Sequence, residues 1–477
     1  MQEIKKVDTL PFEASAARRL RAKLSSASSP ARRLTLRQSS VNRRIFAAMM
    51  TVGMLTVLVK CAATFKEMVI ARSFGVADSL DAFLVAYALP SLIINMIGST
   101  LNAAFIPTYI QVRDQQGQDA AQKLFSSAIV WITLLLAVVS ILMGLSGRYA
   151  LPLFGSTFDA EKMALTRTLF IMLLPAIVLT GIATAWGAVL NASERFALGA
   201  VSPIMTPIMV MVLVYCSGVG WQPFALALGT VIGEMLRCAL LAGGLKRQGV
   251  PILPRWHGSN AALRQIRNQC APMLAGSCLT SSSFLVDQSM AAMLGSGNVS
   301  VLNYSIKIVA VVLGVGSVAL TTAVLPQFSR LAAAEDWAGI KRILRTYIPL
   351  ILLATIPVTA ILILCSKPLV GFLFVRGSFT AENAQQVVLV QRLYLLQLPF
   401  FVLVNLLIRL IASMKSNQVL MWGAALNFAF NIALDYLLMR RLGVAGIALA
   451  TSIVYVLSLC YLSFILRHLF QTVEGKR

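Results

Sequence analysis

The residues of this sequence that could do chemistry are charges set inside apolar runs. Lys60 falls near the middle of the first such run, and Lys66 lies one to two turns further along. Lys307 sits about two turns into a run over 299–328, and Asp287 lies late in a run over 272–294. Charge in hydrocarbon is costly, so it marks a pathway or a partner. Ammonium groups facing a shared cavity suit an anion, and phosphate above all. Asp287 would neutralise one of these lysines or bind a coupling cation. Glu234 and Arg237, three residues apart, read as a structural pair on one helix face. Lys66, Arg392, Arg409 and Asp435 lie close enough to run ends for snorkelling to account for them.

Neutral polar residues accompany these charges. Asn95, Ser99 and Asn102 on one run, and Ser277, Thr280, Ser281 and Ser282 on another, would line a head-group chamber. Helix packing is the plainer account of each small hydroxyl. The sequence holds no phosphate-binding glycine loop, metal cluster or nucleophile constellation. His257 and His468 are too few and too far apart for zinc. None of the seven cysteines forms a C-x-x-C, and they read as small buried hydrophobes. The expectation is a protein that is not an enzyme and has no cofactor. A coupling cation (Na+ or H+), the membrane potential or downstream consumption would drive it.

The elements that position these charges follow from composition. Of 477 residues, 58% are hydrophobic and 12% charged, against roughly 45–50% and about 25% in ordinary soluble chains. A soluble domain cannot hide so much apolar surface. The formal net charge of +23 is concentrated in the N-terminal region and a few links, with no stacking platform or recognition motif beside it. It therefore implies no nucleic-acid partner. Apolar stretches of about 20 residues span a bilayer as helices. About twelve such spans are expected, near 45–65, 83–109, 124–145, 169–190, 197–218, 223–245, 272–294, 299–328, 347–374, 389–414, 419–439 and 444–466. The six Trp fall mostly near span ends, as interface anchors do.

The fold class expected is an all-α polytopic membrane protein with two parallel six-helix halves. Residues 1–44 would be a basic, mostly disordered cytoplasmic tail. The N-terminal half would cover 45–246, a cytoplasmic linker 247–271, the C-terminal half 272–466 and a cytoplasmic C-tail 467–477. Basic residues in the tail, in the link with Lys246, Arg247, Arg255, Arg264 and Arg267, and in the link with Arg330, Lys341, Arg342 and Arg345 place both termini in the cytoplasm. Arg440 and Arg441 run against that bias. The two halves echo each other: Gly75-Val-Ala-Asp-Ser-Leu-Asp-Ala-Phe83 before a span ending Ala104-Phe-Ile-Pro107 matches Gly295-Ser-Gly-Asn-Val-Ser-Val-Leu-Asn-Tyr304 before one ending Ala323-Val-Leu-Pro326. A six-span period puts both halves in one orientation, with a substrate site between them.

The run Phe65-Lys-Glu-Met-Val-Ile-Ala-Arg-Ser-Phe-Gly75, then Asp81-Ala-Phe-Leu-Val-Ala-Tyr-Ala-Leu-Pro90, resembles the MurJ/MviN lipid II flippases, within the superfamily of polysaccharide-lipid and multidrug (MOP) exporters. Leu190-Asn-Ala-Ser-Glu-Arg-Phe-Ala-Leu-Gly-Ala-Val-Ser-Pro203 and the block from Gly295 to Pro326 are similar to that family too. The resemblance implies alternating-access flipping of an undecaprenyl-pyrophosphate-linked saccharide (lipid II or an exopolysaccharide or O-antigen repeat unit) across the bacterial inner membrane. It implies membrane lipids as partners. By position, Lys60, Lys66 and Lys307 fall where the family holds the pyrophosphate with arginines, and Asp81 falls on the family's Asp-Ala-Phe aspartate, in a gating or charge-pairing role. Two departures stand out. The stretch Ile93-Ile-Asn-Met-Ile-Gly-Ser-Thr-Leu-Asn102 lacks the charges that the family carries there. Twelve spans are expected, against the family's fourteen. Both point towards a relative exporting another lipid-linked oligosaccharide, such as a capsule, O-antigen or exopolysaccharide unit. The alternatives are a MATE-type multidrug or cation antiporter, centred on Asp287, Glu234 or Asp435, and a scaffold recruiting saccharide-synthesis enzymes through its basic tail.

Overall fold

In the computed structural model, the structure describes residues 30–193, 195–250, 255–258, 261–324, 327–328, 330–331, 334–414 and 417–474. The chain divides into two units, Met1–Leu58 and Val59–Arg477. Where it is described, the first is the N-terminal part of helix α1 (Pro30–Phe74).

In the second unit the end of α1 is followed by α2 (Asp78–Gln116), α3 (Gln118–Phe154) and α4 (Ala160–Ala192). A broken span comes next: α5 (Phe196–Val201), a 3-10 turn (Ser202–Ile204) and α6 (Met205–Cys216). Helix α7 (Gln222–Lys246) closes the N-terminal half. The C-terminal half holds α8 (Ala261–Met293), α9 (Asn298–Ala323), α10 (Trp337–Phe374), a second broken span of α11 (Ala381–Leu395) and α12 (Leu398–Ser413), then α13 (Asn417–Leu442) and α14 (Val444–Glu474). The breaks fall at Pro203 and just before Pro399, where proline removes a backbone donor. Nine helical stretches among the described residues are long and apolar enough to cross a membrane, and Asn298–Gly314 is a shorter apolar one. The order is the six-plus-six order read from hydropathy.

Helix ends differ from the apolar boundaries. Helix α1 starts at Pro30 rather than near Ile45, and α8 at Ala261 rather than Pro272, so Arg264 and Arg267 are helical. Hydropathy reports only the hydrocarbon thickness. Ala, Leu, Arg and Gln continue a helix beyond it.

In the N-terminal half α4 is central, packed on α2, α3 and α7 through Leu169, Leu173, Ile177 and Ala188. The halves meet where α2 lies along α8. A separate cluster around Phe328, Ile340, Leu406 and Leu410 fills one end of the C-terminal half. The link between halves is fastened to α3: Ser126 Oγ donates to the Arg255 carbonyl (2.8 Å), and the His257 amide donates to Ser127 Oγ (3.1 Å).

At one end the α1–α2, α3–α4, α8–α9 and α10–α11 loops gather. Gly75 ends α1 with φ +58°, its amide donating to the Ala71 carbonyl (2.8 Å). The Ser378 carbonyl occupies the place where a Cβ would stand, so only glycine fits. The Ser378 amide donates to the Arg72 carbonyl (2.9 Å), tying the α10–α11 loop to the end of α1. Asp159 caps α4 by accepting from the Lys162 amide (2.8 Å), and Thr380 caps α11.

Candidate functional site: a cationic cavity between the halves

A cavity of about 410 Å³ lies between the halves, lined from α1, α2, the broken span α5–α6, α7, α8 and α9. Positions 59, 63, 66 and 70 on α1 face it at helical spacing. Lys66, Glu67 and Lys307 are the charged residues among the described lining. Glu67 Oε1 stands 2.9 Å from Lys66 Nζ and 3.1 Å from Lys307 Nζ. One carboxylate thus bridges a lysine from each half. The remaining polar lining is neutral and includes Tyr87, Ser91, Asn95, Gln288, Asn303 and Tyr304.

Beside the gathered loops, in the first turn of α2, stands Asp81. Its carboxylate is fully buried. Oδ2 accepts from the Gly297 amide (2.7 Å), and Oδ1 accepts from the amide and hydroxyl of Ser300 (2.8 and 2.6 Å). These donors belong to the N-terminus of α9, where unsatisfied amides and the helix dipole favour an anion. Lys162 at the start of α4 pairs with the same carboxylate (3.4 Å) and with Asp78. Thr157 Oγ1 donates to the Ala292 carbonyl (2.6 Å), adding a tie from the α3–α4 loop to α8. Together these contacts form a latch between the halves.

Of the residues expected from sequence, Lys66, Lys307 and Asn95 line the cavity. Lys60 does not. It is exposed, on the face of α1 that carries Ala63 and Glu67, two turns before Glu67. Ser281 stands one turn of α8 before Phe284 and two turns before Gln288, both of which line the cavity. The side chains of Ser99 and Asn102 lie outside the described residues. Asp287 is not at the lysines. It is buried inside the C-terminal half, accepting from Asn431 Nδ2 (3.1 Å) beside the fully buried Asp435. Glu234 accepts from Thr206 Oγ1 (2.8 Å) and pairs with Arg237 (3.2 Å). Glu67 and Lys162 were not singled out from sequence. An acid beside an intramembrane lysine was the signal for Glu67. Lys162 carried none, because its partners lie across a tertiary contact.

Two six-helix halves around a cavity, latched at one end, define a membrane transporter of the MOP exporter type. The solved structure of a lipid II flippase MurJ in an inward closed conformation matches with a TM-score of 0.75 at 22% identity, covering 88% of this chain and 87% of that one. An inward-facing multidrug resistance MATE family transporter matches with a TM-score of 0.72 at 12% identity, covering 89% and 99%. The likeness to both is one of fold. The family model for the lipid II flippase MurJ matches residues 70–476, and the chain belongs to that family. The lipid II flippase MurJ of Burkholderia cenocepacia is 26% identical over 377 residues, 76% of this chain and 72% of that protein. The chain is accordingly a multi-pass membrane transporter and not an enzyme.

Proposed function

We propose that this protein flips an undecaprenyl-pyrophosphate-linked saccharide across the bacterial inner membrane by alternating access. The observation that carries the reading is the convergence of Lys66 and Lys307, one from each half, on a single carboxylate. That point is where two cations from opposite halves already hold an anion. A diphosphate carries more acceptor oxygens than Glu67 and can engage both lysines while the halves stay together.

With both termini cytoplasmic, the latch at Asp81 faces outward and the described state is closed on that side. Lys60, exposed and two turns before Glu67, draws the diphosphate towards the cavity. The saccharide fills the neutral chamber and the lipid tail stays in the bilayer. Release of Asp81 from the α9 N-terminus lets the halves rock and the head group leave outside. The buried group of Asp287, Asn431 and Asp435 holds the coupling cation, Na+ or H+. Two adjacent buried carboxyls favour a shared cation or proton.

The test is mass spectrometry of lipid-linked intermediates in cells depleted of the protein. Accumulation of an undecaprenyl-pyrophosphate-linked saccharide on the cytoplasmic side supports the reading. Unchanged intermediates, with redundant transporters removed, overturn it.

A further inference from the structure

The described cavity lining offers two cations, Lys66 and Lys307, and Glu67 engages both. Two lysines less one glutamate leave one net positive charge. A diphosphate diester brings about two negative charges, one on each phosphate. A further cation stands behind the wall that α6 and α7 form. Thr206 of α6 and Thr230 of α7 both line the cavity. Glu234 follows Thr230 by one turn and Arg237 follows it by two, so the three share one face of α7.

Side chains on a helix tilt towards its N-terminus. Arg237 does so: its Nη1 donates to Glu234 Oε2 (3.2 Å), one turn back towards Thr230. The guanidinium therefore leans along α7 towards the turn that lines the cavity. Glu234 in turn accepts from Thr206 Oγ1 (2.8 Å), in the lining itself. At Gly229 and Gly233 the α6 backbone stands where a Cβ would be, so α6 and α7 touch beside this bond and hold it in place. Helix packing does not need such a pair, since apolar residues of the same volume stabilise as well or better. Part of it is also unused. Arg237 Nε is buried and has no hydrogen-bond partner. That edge of a guanidinium takes a phosphate with two parallel hydrogen bonds. In the orientation of the proposed function α7 runs inward. Arg237 then stands on the cytoplasmic side of Thr230, where a diphosphate entering from inside passes it.

We infer that Arg237 is a third cation of the substrate site, held beside the cavity by Glu234 and Thr206 until a phosphate of the entering lipid takes it over. Glu234 is its positioning residue. This rests on the flippase reading and adds to it a binding residue from α7. The experiment measures binding of undecaprenyl diphosphate to the purified full-length protein and its variants. Arg237→Gln is expected to weaken binding about tenfold or more, and Arg237→Lys to restore part of the loss. Glu234→Gln is the deciding variant. Its amide oxygen can still accept from Thr206, but the arginine is freed, so binding is expected to tighten about threefold or more. A purely structural pair predicts the opposite, because breaking it leaves a charge unpaired. Weaker or unchanged binding in Glu234→Gln overturns the inference. The double variant Glu234→Gln/Arg237→Gln leaves no unpaired charge, which guards against misfolding of the single variants. Its expected loss is again about tenfold, and affinity within about twofold of the unmodified protein overturns the inference. Lys307→Ala in the same assay separates the two readings. If it weakens binding and the α7 variants do not, only the role of Arg237 falls. If the unmodified protein, shown folded by its thermal transition, does not bind the lipid, the flippase reading falls with it.

Discussion

Lys307 reaches across from α9 to Glu67 on α1, Nζ to Oε1 3.1 Å, so the two halves share an ion pair inside the cavity. The same oxygen is 2.9 Å from Lys66. Without an acid there, two lysines at this separation would repel in a poorly solvated site. Glu67 therefore offsets that repulsion and ties the two lysines together. In the proposed function it stands where the substrate anion would be held, so binding would exchange one anion for another.

Removing the C-terminal member of this arrangement should be costly. Lys307→Ala is expected to lower translocation by about 10- to 100-fold, as loss of hydrogen bonds to charged groups does. Lys307→Arg should retain most activity, since it keeps the charge and adds a bidentate fork. A vesicle flipping assay at saturating lipid measures both. Lys60→Ala should act only on uptake at low ionic strength, and its effect should vanish near physiological salt, because an exposed charge is screened.

Asp81 ties the two halves together at this end, and in the proposed cycle its loss should bias the protein towards the opposite state. Asp81→Asn removes the charge that the α9 amides engage and leaves Lys162 paired with Asp78 alone. A cost of about 2–3 kcal/mol to the latched state is expected. Labels placed by Gly155→Cys and Ser296→Cys, read by double electron–electron resonance, should show a population with the α3–α4 and α8–α9 loops further apart. An unaltered distance distribution would mean that the latch does not decide the state.

Some of this site was legible because charge in an apolar run is rare. Lys66 and Lys307 stood out for that reason, and Asp81 stood out through its motif. The spans were equally legible, since a bilayer imposes a run length that hydropathy reads directly. Glu67 was hidden by local geometry: neighbours in a helix point about 100° apart, so adjacency to Lys66 did not suggest a shared anion site. Gln288, Asn303 and Tyr304 were hidden by chemistry, because neutral polar residues also occur as packing. Asp287 was placed with the lysines or with a cation. The fold separates it from the lysines, a matter of which helices touch that no local pattern encodes.

The C-terminal half should carry the cation dependence. Asp435 is fully buried beside Asp287, which accepts from Asn431. Asp435→Asn keeps the volume and removes one of the two carboxyls, so it should abolish any dependence of transport on a Na+ or pH gradient. Binding of a lipid diphosphate to the lysines, which neither carboxyl contacts, should change by less than about twofold. Isothermal titration with Na+ and the flipping assay under imposed gradients separate the two effects. Equal loss of lipid binding and cation response would place the cluster in the fold's stability rather than in coupling.

The gathered loops depend on backbone shape as much as on charge, and Gly75 tests this. At φ +58° an L side chain costs about 1–2 kcal/mol, before any clash is counted. Its Cβ would also meet the Ser378 carbonyl, a backbone atom that cannot swing aside without breaking the Ser378–Arg72 hydrogen bond. Gly75→Ala should therefore lower the thermal transition in detergent and loosen the tie between α1 and the α10–α11 loop. Gly187, inside α4 with nothing within 4 Å of its Cβ position, is the matched control. Gly187→Ala should be neutral or stabilising by up to about 1 kcal/mol, because alanine restricts the unfolded chain and favours the helix. If both substitutions lowered the transition equally, general helix packing rather than the left-handed turn at Gly75 would be setting the stability of this end. A selective effect at Gly75, paired with faster hydrogen exchange in 375–380, would show that the two halves are clasped through the backbone as well as through Asp81.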